Sequence, residues 1–157
     1  MKPLLQLPAP RTFPKWNSLN PAKSLRVIAT VLHAEARKTL LLEGMHRERI
    51  YLIPLNGKGL MREPGDGSRK GLRERVNDYV TKHNVFGMVH IGEIFSDDKH
   101  AGKAQKTEHK DFVVEAQSVD GWFTTWTDKV VRDKTGRVKL KKSIKVGGTK
   151  RPWKRFR

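Results

Sequence analysis

From Val85 to Val146 the chain alternates strand-like runs with short turn signals, and that alternation restricts the fold more than any other feature. Val85–Phe95 (VFGMVHIGEIF), 111–119, 122–132 and 137–146 each read as a strand. Asp120-Gly121 and Asp133-Lys134-Thr135-Gly136 stand between the last three. Connections of two to four residues can join only antiparallel neighbours, since a parallel pair needs a crossover of a dozen or more. Val85–Phe95 is apolar on both sides apart from His90 and Glu93, which predicts a central strand covered on both faces.

Upstream, Asn20 is placed to cap a helix, with Pro21 at its first position, where a missing N–H is harmless. Leu25, Ile28, Ala29, Leu32, Ala36 and Leu40 recur at three- and four-residue spacing, and Gly44 supplies a stop, so a helix is predicted over 21–43. Arg49–Leu55 reads as a strand that turns at Asn56-Gly57-Lys58-Gly59 into Leu60–Arg62. A second helix carries Leu72, Val76, Tyr79, Val80 and His83 on one face. The predicted class is α+β, with element order α-β-β-α-β-β-β-β and a single, mostly antiparallel sheet. Both helices are expected on one face of that sheet, and the termini are expected to be extended and basic.

The net charge of +17 is unevenly spread. Residues 129–157 hold thirteen Lys or Arg against the single acid Asp133, and residues 1–23 hold four cations and no acid. The remainder, 24–128, is close to neutral, with sixteen basic and fifteen acidic residues. Three regions follow: a proline-rich extended arm over 1–20, an α+β domain over 21–146, and a basic-aromatic tail over 147–157. Pro3, Pro8, Pro10 and Pro14 favour polyproline-like backbone in the arm. Gly147-Gly148 reads as the joint that releases the tail.

Charge concentrated at the ends implies a polyanionic partner. In 137–146, period-two alternation puts Arg137, Lys139, Lys141 and Lys145 on one face. Val138, Leu140, Ile144 and Val146 fall on the other, interrupted by Lys142. Such a ribbon suits a nucleic-acid groove or phosphate backbone, although lysines also protect an ordinary edge strand from aggregation. The tail interleaves Lys150, Arg151, Lys154, Arg155 and Arg157 with Trp153 and Phe156. Cations neutralise phosphates and release counterions, and aromatics stack on unpaired bases. Arg11 and Lys15 extend the same bias into the arm. Trp122, Thr124 and Trp126 share a strand face, as core if covered and as a stacking platform if open.

These residues predict a non-enzymatic nucleic-acid-binding accessory protein, RNA- or DNA-directed, docked with protein subunits of a larger nucleoprotein assembly. No catalytic residue, metal ligand set or cofactor is assigned. One alternative is a metal-dependent nuclease built from acids of the 93–117 region, where Glu93, Asp97, Asp98 and Glu115 accompany His90, His100 and His109. Its pattern departs from the usual acid…(Asp/Glu)-x-Lys arrangement, because Gln117 stands at the lysine position. A further alternative is an interaction protein whose tails bind acidic protein surfaces.

Several classes find no support in the residues. With no cysteine there is neither a disulfide nor a thiolate zinc site, which fits a reducing compartment. Neither G-x-x-x-x-G-K-[ST] nor G-x-G-x-x-G occurs. No apolar run approaches bilayer length, and the prolines of the first fourteen residues oppose a signal helix, so a cytoplasmic location, or one inside a nucleoprotein particle, is expected.

Overall fold

A computed structural model describes residues 11–12, 16–17, 19–55, 58–62, 69–82, 84–95 and 110–149. In chain order these form β1 (Arg11–Thr12), α1 (Pro21–Glu43), β2 (Arg49–Pro54), β3 (Lys58–Arg62) and α2 (Arg69–Lys82), followed by β4 (Val85–Phe95), β5 (Lys110–Ser118), β6 (Trp122–Arg132), β7 (Val138–Leu140) and β8 (Ile144–Thr149). The class is α+β. Every strand pairing is antiparallel. The sheet runs β1-β3-β2-β4-β5-β6-β7, and β8 shares with β7 the outer edge of β6.

The bounds of α1 follow from its caps. Asn20 Oδ1 accepts the Lys23 N–H at 3.3 Å, Pro21 opens the first turn, and Gly44 closes the helix at φ +77° while donating to Leu40 O at 2.9 Å. A left-handed closing residue is cheap only for glycine. Leu25, Ala29, Leu32 and Leu40 are at most 1% exposed and pack on Tyr51, Val89, Phe112, Val114 and Trp126. Each large apolar side chain buried this way contributes about 1.5–3 kcal/mol.

Successive strand residues point to opposite faces. On β2 and β4, Tyr51, Ile53, Val89 and Ile91 face α1, whereas Ile50, Leu52 and Met88 join Val76 and Tyr79 of α2 in a second buried cluster. The helices therefore lie on opposite faces, which corrects the expectation of a one-sided arrangement. The physical reason is the two-sided apolar character of β2 and β4: each face needs its own cover. Beyond β4, α2 gives no cover among the described residues. There Val113, Glu115, Gln117, Phe123, Thr125 and Thr127 are half-buried, and Ile144 and Val146 are exposed. Trp126 and Thr124 lie in the core beneath α1, and Trp122 packs against its margin, so this trio forms no open platform. No described helix is long and apolar enough to cross a membrane.

Candidate functional site

The strongest concentration of described cations lies along the β6–β7 turn and the β7–β8 edge. The turn is closed by Asp133, whose Oδ1 accepts from Thr135 N at 2.8 Å, Thr135 Oγ at 2.6 Å and Arg137 N at 2.9 Å. The Thr135 hydroxyl, followed by the Arg137 N–H, holds the Asp133 carboxyl below its ordinary range. Gly136 supplies the left-handed residue, at φ +82°. The one acid in the C-terminal run thus serves the turn. Arg137, Lys139, Lys141, Lys142 and Lys145 are all exposed, and Lys139, Lys141 and Lys142 have no acidic partner among the described residues.

The edge is not one regular ribbon. Leu140 lies opposite Val130, and Lys141 N donates to Lys129 O at 3.1 Å, but the next pair is Ile144 with Thr127. Lys142 and Ser143 therefore oppose Asp128 alone, which is a β-bulge. The extra residue reverses the facing of everything after it. Val138 and Leu140 face α1 with Val130, while Lys139 and Lys141 take the other face. Past the bulge, Lys145 lies opposite Trp126 on the α1 face, with Nζ 5.5 Å from the ring centroid. Ile144 and Val146 move to the open face, 59% and 56% exposed. The expected division into one basic and one apolar face is corrected: cations occupy both faces of the edge.

Beneath the bulge sits a polar cluster that the sequence reading missed. Asp128 is fully buried, and its Oδ2 meets Arg37 Nη1 at 2.6 Å and His33 Nε2 at 3.2 Å. Arg37 Nη1 also donates to Ser143 Oγ at 3.0 Å, tying α1 to the bulge. The His33 ring stacks on Trp126 at 4.8 Å, so Trp126 lies against both His33 and Lys145. Burial lowers the His33 pKa, and the hydrogen bond to Asp128 opposes that shift in part. Neutral His33 then donates Nε2–H to the carboxylate. The available signal was an acid at an inward position of β6, in step with Trp126 and Val130, matched by a His and an Arg four residues apart on α1.

At the far end of α1, Thr39, Glu43, Met45, His46, Arg47 and Arg49 line a cavity of about 420 Å³. His46 is buried, with Nδ1 2.7 Å from Arg47 O and its ring against Phe112 at 5.5 Å. Burial lowers its pKa as well.

The remaining predicted positions are scattered. Arg11 enters β1, paired through its backbone with Gly59. Lys15, Lys150, Arg151, Trp153, Lys154, Arg155, Phe156 and Arg157 lie outside the described residues. Gly147 and Gly148 pair with Thr124 and Phe123 inside β8, so they belong to the sheet and the expected joint at that point is corrected.

The acids of 93–117 do not converge. Glu93 lies opposite Phe112 on the α1 face and meets Arg132 at 2.6 Å, whereas Glu115 lies opposite His90 on the other face. Two carboxylates on opposite faces of a sheet cannot ligate one cation. His90 is hydrogen-bonded to Glu48 at 3.0 Å, and Asp97, Asp98, His100 and His109 lie outside the described residues. The described residues contain no group of three His, Asp or Glu arranged for a metal ion.

Compared with family models, with curated proteins and with solved structures, the chain matches none.

Proposed function

We propose that this chain is a non-enzymatic nucleic-acid-binding accessory protein. Its folded grip is the β7–β8 edge, and the Arg- and Lys-rich residues 150–157 add to the same contact as an extended basic terminus; the arm cations Arg11 and Lys15 give a separate basic contact, Arg11 lying in β1 at the opposite edge of the sheet. The observation that carries this reading is the exposure of Lys139, Lys141 and Lys142 without an acidic partner among the described residues, the first two on backbone held to β6 and Lys142 at the bulge. A backbone held in the sheet loses little freedom when its lysines meet a phosphate, and each contact releases counterions. Trp153 and Phe156 add stacking where bases are unpaired. The surrounding domain supplies shape and protein contacts within a larger nucleoprotein assembly, in the cytoplasm or inside a particle.

The test is fluorescence anisotropy with labelled DNA and RNA oligonucleotides over a series of salt concentrations. It compares the full chain with one ending at Thr149, a boundary that keeps β8 intact. The full chain binds with a steep salt dependence, and the shortened chain binds more weakly with a shallower slope. Equal affinity and equal slope for the two would refute a role for the tail. Absence of binding to every oligonucleotide would refute the function.

A further inference from the structure

We propose that β8 is a docking edge for an extended segment of a partner protein, an added strand that alternates acidic and apolar residues. The proposal rests on the accessory-protein reading above and names one of its protein contacts. Lys139, Lys141 and Lys142, which carry the nucleic-acid reading, lie on β7 and at the bulge. β8 continues past them with Lys145 as its one cation.

The backbone of β8 is the first observation. β6 is its one strand neighbour among the described residues, and all six of its residues are exposed. In an antiparallel ladder, successive residues of a strand turn their N–H and C=O groups to alternate sides. Lys129 O accepts the Lys141 N–H at 3.1 Å, so the odd-numbered residues of β6 direct theirs toward β7 and β8. Phe123 O fits the rule, since it would lie 3.2 Å from a Cβ on Gly147. Ile144, Val146 and Gly148, opposite Thr127, Thr125 and Phe123, therefore turn their backbone groups to β6. Lys145, Gly147 and Thr149 turn theirs outward, a row of the kind that templates another strand.

Access to this row is open. α1 packs chiefly on β4, β5 and β7, and Arg37 reaches the edge at Ser143, the residue before β8. Ile144 and Val146 stand exposed on the face away from α1. Beside them, Gly147 and Gly148 keep both faces of the strand low. A Cβ on Gly147 would crowd Thr124 Oγ1 at 3.0 Å, whereas one on Gly148 would meet the Phe123 ring at 3.5 Å and 3.8 Å, an ordinary contact. Glycine within a strand marks a place where another backbone can come close.

Charge selects the partner. From Lys134 to Arg157 the sequence contains no acid, so β8 lies within a run whose charge is all positive. A second copy of the chain would bring the same lysines to the same edge, and edge lysines discourage such pairing. An acidic segment is attracted where a basic one is repelled. Directly opposite residues of paired strands share a face. Those opposite Lys145, Gly147 and Thr149 stand on the α1 side, where a carboxylate meets the Lys145 ammonium beside Trp126. Those opposite Ile144, Val146 and Gly148 stand on the open face, where apolar side chains cover Ile144 and Val146.

A phosphate backbone does not satisfy this half of the edge. Phosphates accept hydrogen bonds and donate none, so the outward carbonyls of Lys145, Gly147 and Thr149 would lose water without gaining a partner. A peptide strand offers a donor and an acceptor at every second residue, matching the three outward pairs. Main-chain bonds supply affinity in this mode, and the alternate side chains supply choice of partner. The bulge divides the two contacts, with phosphates on its β7 side and the added strand on its β8 side.

The experiment uses the full chain and four labelled peptides of about eight residues, within the ordinary span of a strand. One alternates Val and Glu, one alternates Val and Lys, and two are the Val/Glu peptide N-methylated at every Glu or at every Val. Fluorescence anisotropy gives affinities, and NMR hydrogen exchange follows the β8 amides. In the free chain the Lys145, Gly147 and Thr149 amides exchange faster than those of Ile144, Val146 and Gly148. The Val/Glu peptide binds and slows the first three. Methylation at Glu, whose amides face β8, weakens binding by about tenfold or more, and methylation at Val does not. K145Q and I144T/V146T each weaken the peptide, and I144T/V146T leaves oligonucleotide binding unchanged. No peptide binding at about 1 mM, equal binding of the Val/Lys peptide, or equal binding of the two methylated peptides would overturn the proposal. So would protection of the three amides by an oligonucleotide, or by rising chain concentration with a doubled mass in light scattering, which assign the edge to nucleic acid or to a second copy. Peptide binding beside a failure to bind any oligonucleotide would support the docking edge and overturn the nucleic-acid reading instead.

Discussion

Replacing Arg37 by methionine tests whether the buried cluster holds the edge together. The Asp128 side chain is 1% exposed, and the change removes its guanidinium partner at 2.6 Å, leaving His33 as the remaining contact to Oδ2 while Oδ1 has none. Breaking a buried ion pair by deleting one member costs about 3–5 kcal/mol. The Arg37 side chain is 27% exposed, so water screens the pair in part, and the low end, about 3 kcal/mol, is the better figure. For a chain of this size that corresponds to roughly 6–12 °C in Tm. The effect should be asymmetric. D128N should cost less than R37M, because freed Arg37 can turn toward water whereas a stranded Asp128 cannot. R37M/D128N should be more stable than R37M, since the double change removes the stranded charge. Urea denaturation of the four proteins gives the cycle directly. The pKa of His33, followed by NMR, should rise in R37M, because a nearby cation that depresses it is gone. A loss below about 1 kcal/mol in R37M, or a double variant less stable than R37M, would refute the reasoning.

Gly87→Ala should destabilise by about 1–3 kcal/mol in the same assay, through overpacking. A Cβ there would come within 2.6 Å of Leu25 Cδ2 and 3.3 Å of Gln117 O, and Leu25 is fully buried. Gly148→Ala, which meets only ordinary contacts, is the control, and equal stability of the two variants would contradict the packing account. The pH profile follows from His33 and His46, both shifted below 6.5 by burial. Each stays neutral in the folded chain at a pH where the unfolded chain takes up a proton. Their contribution is therefore complete above pH 6.5 and declines as pH falls through that value toward the folded pKa, by at most about 1.4 kcal/mol per pH unit for each histidine. Denaturation midpoints measured from pH 7.5 to 5.5 should fall, and a flat or rising series would count against the burial of these rings.

The sequence was most readable where local chemistry decides the outcome. Asn20, Pro21 and Gly44 delimit α1 because caps act on their own backbone, and the turns at Asp120-Gly121 and Asp133–Gly136 impose antiparallel neighbours whatever surrounds them. The side of the sheet taken by α2 depends on packing between distant segments, although the two-sided apolar character of β4 already implied a cover on each face. The bulge was hidden for a related reason. Period-two alternation fits 137–140 and 144–146 separately, and joining them into one strand required setting Lys142 aside as an interruption. That residue marks the slip. The ion pair beneath it, from Asp128 to Arg37 ninety-one positions upstream, leaves no local trace. Glycine pairs form a flexible joint only where no neighbouring strand supplies hydrogen bonds, and β6 supplies them to Gly147-Gly148.

The lysines at the bulged edge form the proposed phosphate-binding surface. The most direct measurement is the salt dependence of nucleic-acid affinity for the wild-type chain and for K139Q/K141Q/K142Q, three substitutions at exposed positions that leave the Arg37–Asp128 cluster intact. The predicted result is unchanged stability, weaker binding, and a slope of log affinity against log salt shallower by about 2.7, from roughly 0.9 per phosphate contact. Binding with the wild-type slope in the triple variant would contradict it.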